Sequence, residues 1–206
     1  MTRAEVLEQV RRLLADEELP YLWKSEEMDF YYDMAVKDFC EDTGIFIKSV
    51  PMSTVANQYL YTVPGSLINV QGISVDGSDL TKVPFSFVGS MKGQTGTVKY
   101  YCLDYVIGKF LLHCTPTQDG NNNITVRGSA IPEDTDIDDA IPTKYSHYLI
   151  YGVITMAFDK TESEVVSQLA LKYEKKWELK KSRVKKDLDR LRYSHINVTL
   201  KHPGLL

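Results

Sequence analysis

Cysteine is scarce in this sequence, and its spacing offers the few cysteines no chemical role. The 206-residue chain contains three of them, Cys40, Cys102 and Cys114. The count is odd and no CxxC pair occurs, which argues against a disulfide framework and against a zinc ribbon. We interpret these residues as small buried side chains or spare thiols.

Long apolar runs are also missing. No stretch approaches the roughly 20 apolar residues that a helix needs to cross a bilayer. The first residues, Met1–Glu5, do not form the apolar segment of a signal peptide. We therefore expect no membrane partner, and a protein that stays in the cytoplasm in which it is made.

The spacings typical of catalytic sites do not occur. Four histidines show neither HxH nor HExxH spacing, and no GxSxG turn supports a hydrolase triad. In the glycine-rich segment 89–96, Gln94 stands where a phosphate loop needs its second glycine. We expect no enzymatic activity and no cofactor.

Acidic residues are concentrated in segment 133–139, just before a predicted helix. An EF-hand calcium loop needs Gly at its sixth position and Glu at its twelfth, and this segment offers Asp139 and Tyr145 there. We expect no metal site, and interpret the segment as an acidic lead to the positive end of the helix.

Helical periodicity marks the N-terminal part of the chain. Thr2–Glu5 has the form of a capping box and predicts a helix from about Arg3 to Ala15. Ser25 is the predicted cap of a second, aromatic-rich helix, and Gly44 is placed to end it. Residues 1–44 are therefore predicted to form a helical hairpin.

Over residues 45–139 the sequence pattern changes from helical periodicity to short runs of β-prone residues. Asp76-Gly77 is a strong tight-turn signal and predicts a hairpin after the run 67–75. The remaining strand candidates are 59–63, 97–101, 109–113 and 123–127. We predict a β-rich module here.

Helical periodicity returns at Ile141-Pro142 and continues through residues 140–192. The apolar face of a third helix includes Gly152, which could let a neighbouring element come close. A second capping box, Thr161–Glu164, opens a long helix whose apolar stripe thins after Trp177. The sequence predicts an α+β protein in which N- and C-terminal helices form one bundle around an inserted β-rich module.

Positive charge is concentrated in the long helix. Between Lys172 and Arg192 there are ten Lys or Arg against four Asp or Glu, in a chain of net charge -4. An inter-subunit or solvated face is favoured here over a nucleic-acid interface, because the interleaved acids form local pairs.

Five segments carry a resemblance to a known family. In order they are LWKSEE (22–27), DFCEDTG (38–44), YTVP (61–64), LLHCTPT (111–117) and IPTKYSH (141–147). Over about residues 20–190 the chain resembles the head-to-tail connector adaptors of tailed bacteriophages. The tail after Arg192 is not covered by this resemblance.

The resemblance implies a virion structural protein at the head–tail interface, made in the host cytoplasm. It implies a ring, dodecameric in the family, that sits beneath the portal protein and extends the DNA channel. Tail proteins, either nozzle or tail completion proteins, would attach to it, and packaged DNA would pass through without sequence-specific binding.

Two groups of residues are the resulting site predictions. The tail 193–206, whose apolar residues alternate as in a strand, is the predicted portal-docking arm. Its candidates are Tyr193, Ile196, Val198, Leu200, Leu205 and Leu206. The candidates for the ring interface or channel are Trp177, Lys180, Lys181, Arg183, Lys185 and Lys186.

Two alternatives from other classes remain open at this point. Tyr100, Tyr101 and Tyr105 favour a carbohydrate- or ligand-binding β module of a phage tail protein. The lysines of the long helix favour a nucleic-acid-binding accessory protein.

Overall fold

The computed structural model describes residues 1–19, 22–89, 94–104, 106–158 and 164–194, with the backbone alone at 88–89, 164–167 and 192–194. The helices are α1 (Arg3–Leu14), α2 (Ser25–Thr43), α3 (Phe85–Gly89), α4 (Thr143–Ser146), α5 (Leu149–Phe158) and α6 (Glu164–Ser194), with a 3₁₀ turn at Ile137–Asp139. The strands are β1 (Ile47–Met52), β2 (Leu60–Thr62), β3 (Leu67–Val75), β4 (Ser78–Asp79), β5 (Thr81–Lys82), β6 (Tyr100–Leu103), β7 (Lys109–His113) and β8 (Ile124–Ala130).

Helices at both ends and strands in the middle confirm the predicted α+β class. The chain divides into two compact units. The helical unit comprises Met1–Ile45 and Pro132–Leu206, and the β unit comprises Phe46–Ile131. Among the helices in the described part of the chain, none has the length and apolar character needed to cross a membrane.

Local signals set the ends of the first two helices. The Thr2 hydroxyl accepts a hydrogen bond from the Glu5 amide, and the Glu5 carboxylate accepts one from the Thr2 amide, which confirms the predicted capping box. Gly44 ends α2 with a left-handed φ of 61°, as predicted. Ser25 is the first helical residue instead of the cap, because the Lys24 amide is the one that donates to the Glu27 carboxylate.

The core of the helical unit forms where α5 lies against three other helices. Contacts join α5 to α1, α2 and α6, and α1 contacts α5 more than it contacts α2. Phe39, Leu149, Val153 and Ile154 are fully buried here. The third helix predicted as continuous is split into α4 and α5, where the Tyr148 amide donates to the Tyr145 carbonyl three residues back.

The β unit contains two four-stranded sheets. One has the order β1-β8-β3-β4 and is antiparallel throughout, and the other has the order β2-β7-β6-β5 with a parallel β5–β6 pair. Side chains of both sheets share one core, to which Ile73 and Ile124 contribute from the first sheet and Tyr61 and Phe110 from the second. The predicted hairpin is confirmed, since Asp76 and Gly77 link β3 to β4 with φ of 50° and 75°.

Candidate interaction surfaces of the helical unit

Trp177, a predicted ring-interface residue, lies inside the helical unit. Only 3% of its surface is exposed, and the centroid of its ring lies 5.2 Å from that of Phe39. Its indole N–H donates a 2.8 Å hydrogen bond to Asp38 Oδ2. In the described structure the residue joins α6 to α2 within one protomer.

Lys181 follows Trp177 by one helical turn and is also buried. Its Nζ lies 3.0 Å from Asp38 Oδ2, 2.6 Å from Asp42 Oδ2 and 2.6 Å from Glu178 Oε1. Burial alone would lower the pKa of Lys181, but hydrogen bonds to Asp42, Glu178 and Asp38 outweigh it and raise that pKa above its ordinary value. The ammonium group therefore stays charged and ties α6 to the end of α2.

The apolar stripe predicted along the long helix differs in detail from the observed one. Leu169 and Leu191 lie at helical spacing from Trp177, and both are exposed. Val184 is fully buried, and Lys181 occupies the buried position between it and Trp177. Lys181 can be buried there because carboxylates on α2 pair with its charge. Apolar periodicity in the sequence does not predict a charged residue at a buried position.

The remaining ring or channel candidates fall in two environments. Lys180 lies over the rings of Tyr148 and Tyr151, at 4.7 and 5.7 Å from their centroids, and is half-buried. Lys185 lies 3.8 Å from Asp42. Arg183 and Lys186 are exposed on the side of α6 that faces away from the unit's core.

His147 lies in the positively charged neighbourhood of Lys180. Burial lowers the pKa of His147, and the charges of Lys180, the N-terminal amine and Arg183 lower it further. The imidazole is therefore neutral at pH 7, packed edge-on to the ring of Tyr148 at 4.2 Å.

The predicted portal-docking residues lie almost entirely beyond what the structure describes. Tyr193 belongs to the last turn of α6, with only its backbone described. The others, Ile196, Val198, Leu200, Leu205 and Leu206, lie outside the described residues.

The outward face of α6 carries a positively charged stripe that apolar periodicity alone did not indicate. It follows a spacing of three or four residues, which places its members on one side of the helix. We call it the basic stripe; its members are Lys172, Lys175, Leu179, Arg183, Lys186 and Arg190, all exposed. Leu179 lies near its middle with 67% of its surface exposed. Counting Lys and Arg at this spacing in the sequence would have found it.

The outward face of α2 has the opposite character. Glu26, Phe30, Met34 and Glu41 recur at multiples of about one helical turn and are all exposed. We call these four residues the α2 outer face. Phe30 and Met34 expose 59% and 45% of their surfaces, so two large apolar side chains lie between two carboxylates. Lys37, half-buried on the same side, is paired at 2.8 Å with Asp134.

Arg3 fastens α1 to α2 and to the acidic segment. Its guanidinium lies 2.9 Å from Asp29, 2.7 Å from Asp33 and 3.4 Å from Asp138, and it stands 4.8 Å over the ring of Tyr32. The acidic segment thus supplies partners to Arg3 and, through Asp134, to Lys37. Within the described residues no group of three or more His, Cys, Asp or Glu is arranged to hold a metal ion.

The tyrosines that favoured a carbohydrate-binding module are in different settings. Tyr101 is buried in the core of the β unit, so its ring cannot stack on a sugar. Tyr100 is half-buried and stacks on His113 with ring centroids 6.3 Å apart. Tyr105 lies outside the described residues.

The fold is that of an α+β chain whose helices present charged and apolar faces outwards. A family model described as SU10 adaptor protein matches residues 1–199. The chain therefore belongs to the SU10 adaptor protein family, a family of phage head–tail adaptors. No curated protein matches the chain.

Family membership confirms the resemblance seen in the sequence. The protein is a phage adaptor and a structural component of the virion at the head–tail junction. Its family is one of structural adaptors and is not a known enzyme family.

Proposed function

We propose that the protein forms a ring of twelve copies beneath the portal, extends the DNA channel and provides the platform to which tail proteins attach. The observation that carries the proposal is the set of large apolar side chains on outward helical faces, led by Leu179 and Phe30. Phe30 and Met34 are neighbours one turn apart on α2, and contiguous exposed apolar side chains mark contact surfaces with other proteins. Membership of a head–tail adaptor family supplies the class of partner.

The portal end of this assembly is the C-terminal segment 193–206. Its apolar residues alternate at Ile196, Val198 and Leu200, and such a segment can add a strand to an exposed sheet edge. Backbone hydrogen bonds then supply affinity, and alternate side chains enter pockets of the partner.

Co-sedimentation with portal rings of the same phage tests this function. The full chain should sediment with the rings, and a chain that ends at Arg192 should stay in the supernatant with an unchanged melting temperature. A truncated, folded chain that binds as tightly as the full chain would show that the docking role is wrong.

A matched pair of variants separates side-chain recognition from mere length. Ile196→Ser, Val198→Ser and Leu200→Ser together should abolish co-sedimentation. The same substitution at Asn197, Thr199 and Lys201, the alternate positions of the segment, should preserve it. Equal loss in both variants would argue against a strand with one recognition face.

Mass measurement of the portal-bound complex tests the stoichiometry. Twelve adaptor copies for each portal ring are expected, and another number would replace the dodecamer while leaving the adaptor role in place. Packaged DNA passes through the ring without sequence-specific binding, and nozzle or tail completion proteins attach to the side away from the portal.

A further inference from the structure

The basic stripe of α6 and the α2 outer face lie on the same helical unit and are complementary. The stripe presents five positive charges around Leu179, and the α2 outer face presents two carboxylates around Phe30 and Met34. The stripe extends over 19 residues and the α2 outer face over 16, so their end residues lie roughly 27 and 23 Å apart at a rise of 1.5 Å per residue. The two surfaces match in length as well as in charge.

We infer that the basic stripe of one copy docks on the α2 outer face of the next copy. This inference rests on the proposed ring and names the contact that builds it. Leu179 packs between Phe30 and Met34 at the centre, where truncation is most costly in protein interfaces. Lysine and arginine side chains on either side pair with Glu26 and Glu41 and set the register.

The wider charge distribution supports a second copy as the occupant. Residues 1–45 contain twelve Asp or Glu against five Lys or Arg, whereas residues 172–192 contain ten Lys or Arg against four Asp or Glu. Among the described residues, the ion pairs of Arg3, Lys37 and Lys181 already neutralise part of the acidic surplus internally. The α2 outer face keeps its two carboxylates on the outside.

Packaged DNA fits the stripe less well than a second copy does. Phosphate groups would engage the lysines and arginines but would leave Leu179, exposed to 67%, without an apolar partner. A docking surface that pairs one apolar residue with two others accounts for the leucine and for the charges together.

The geometry of the contact also suits a ring. It joins two different faces of the protomer, so it is heterologous and leaves one free face at each end of a pair. Each added copy presents the same free face to the next, and growth continues until the rotation per copy closes the circle.

Site-directed cross-linking tests the contact in the full chain, both free and bound to portal rings. Phe30→Cys and Leu179→Cys are combined in a Cys114→Ser background, because Cys40 and Cys102 are buried. A short bismaleimide bridges packed helices, whose axes lie about 8–10 Å apart. A ladder of covalent dimers, trimers and larger species is expected, and the two single-cysteine chains mixed together should give dimers only.

Charge exchange between copies gives an independent readout. Lys175→Glu with Lys186→Glu, and Glu26→Lys with Glu41→Lys, should each lower self-cross-linking at least tenfold. Mixing the two variants should restore cross-linking between unlike chains. Lys82→Glu with Lys99→Glu changes two exposed lysines of the β unit. It is the control for the Lys175 and Lys186 variant, because it changes the net charge by the same amount.

Failure of the contact is distinguishable from failure of the proposed function. Portal-bound rings that give no Phe30–Leu179 cross-link would overturn the contact and leave the adaptor role standing. A ladder from free copies that never bind portal rings would support the contact against the proposed function. Loss of DNA retention in the Lys175 and Lys186 variant, with cross-linking unchanged, would assign the stripe to DNA and overturn the contact.

Discussion

The indole of Trp177 occupies the space that a side chain at Gly152 would need. A Cβ atom built on Gly152 would lie 2.8 Å from Cζ2 of Trp177 and 3.0 Å from Cε2. The glycine therefore lets α6 approach α5 closely enough for the indole N–H to reach Asp38 on α2. The absence of a side chain at Gly152 thus allows α2, α5 and α6 to pack together at this point.

Gly152→Ala should destabilise the helical unit, although alanine is normally the better helix former. Overpacking of this kind costs about 1–3 kcal/mol, more than the roughly 1 kcal/mol that alanine gains over glycine in a helix. Trp177→Phe removes the ring atoms that the new methyl group would meet. In denaturant unfolding, the two single variants each lose unfolding free energy. The double variant should lose at least about 1 kcal/mol less than the sum of those two losses. If the losses of unfolding free energy in the two single variants simply add in the double variant, the predicted clash is contradicted.

Lys181→Met should destabilise the helical unit despite the apolar replacement. The change leaves Asp38, Asp42 and Glu178 close together without their shared cation, and hydrogen bonds to charged groups are worth about 1.5–3 kcal/mol. Because those carboxylates are 40–60% exposed, solvent screening places the expected cost at about 1–2 kcal/mol. Lys175→Met, on the exposed face of the same helix, is the control. An equal loss of unfolding free energy in the two variants would show that the ion pairs of Lys181 do not contribute to stability.

The helices α1, α2 and α6 and several of the strands could be predicted from periodicity, capping and turn signals, because those signals are local. The runs 67–75 and 109–113 are strands with the bounds predicted, and the capping box at Thr2 begins a helix as predicted. Strand β1 was not predicted. It contains Pro51, which is tolerated there because β1 is an edge strand.

Features that depend on tertiary partners could not be predicted in the same way. Burial of Lys181 requires Asp38 and Asp42, which lie about 140 residues earlier in the chain. Gly152 was expected to admit a close neighbour, and the neighbour proved to be the Trp177 indole. The basic stripe needed only helical spacing, so it was within reach of the sequence.

Asp42 should make the stability of the helical unit depend on pH in the acid range, because its stabilising contribution is lost as the pH falls. The hydrogen bond from Lys181 lowers the pKa of Asp42, burial opposes that shift, and the charges of Lys181 and Lys185 add to it. A carboxylate with a lowered folded-state pKa stabilises the protein above its unfolded-state pKa of about 3.9, and this contribution is lost as pH falls through the lower folded value. Below about pH 4, the free energy of unfolding should therefore fall less steeply with pH for the Asp42→Asn variant than for the native chain. Glu41→Gln, at the neighbouring exposed position, is the control, and equal slopes would contradict the prediction.

Tyr32 should make the helical unit sensitive to alkali. Burial, followed by the negative charge of Asp138, raises the pKa of Tyr32 to about 12, although Arg3 acts in the opposite direction. The unfolded chain releases this proton near pH 10, so the stabilising contribution is complete below that pH and is lost as pH rises towards 12.

Tyr32→Phe removes this titration while it keeps the ring beneath the Arg3 guanidinium, which stands 4.8 Å from the ring centroid. Stability measured by denaturant unfolding between about pH 9 and 11 should fall less steeply for the variant than for the native chain, because only the native chain gains a charged tyrosinate at this position on unfolding. Tyr31→Phe, one position away on α2, controls for the loss of a hydroxyl group from the same helix. If the alkaline slopes of the Tyr32→Phe variant and the native chain coincide, the hydroxyl group of Tyr32 ionises as readily in the folded protein as in the unfolded one, and the buried setting assigned to it is wrong.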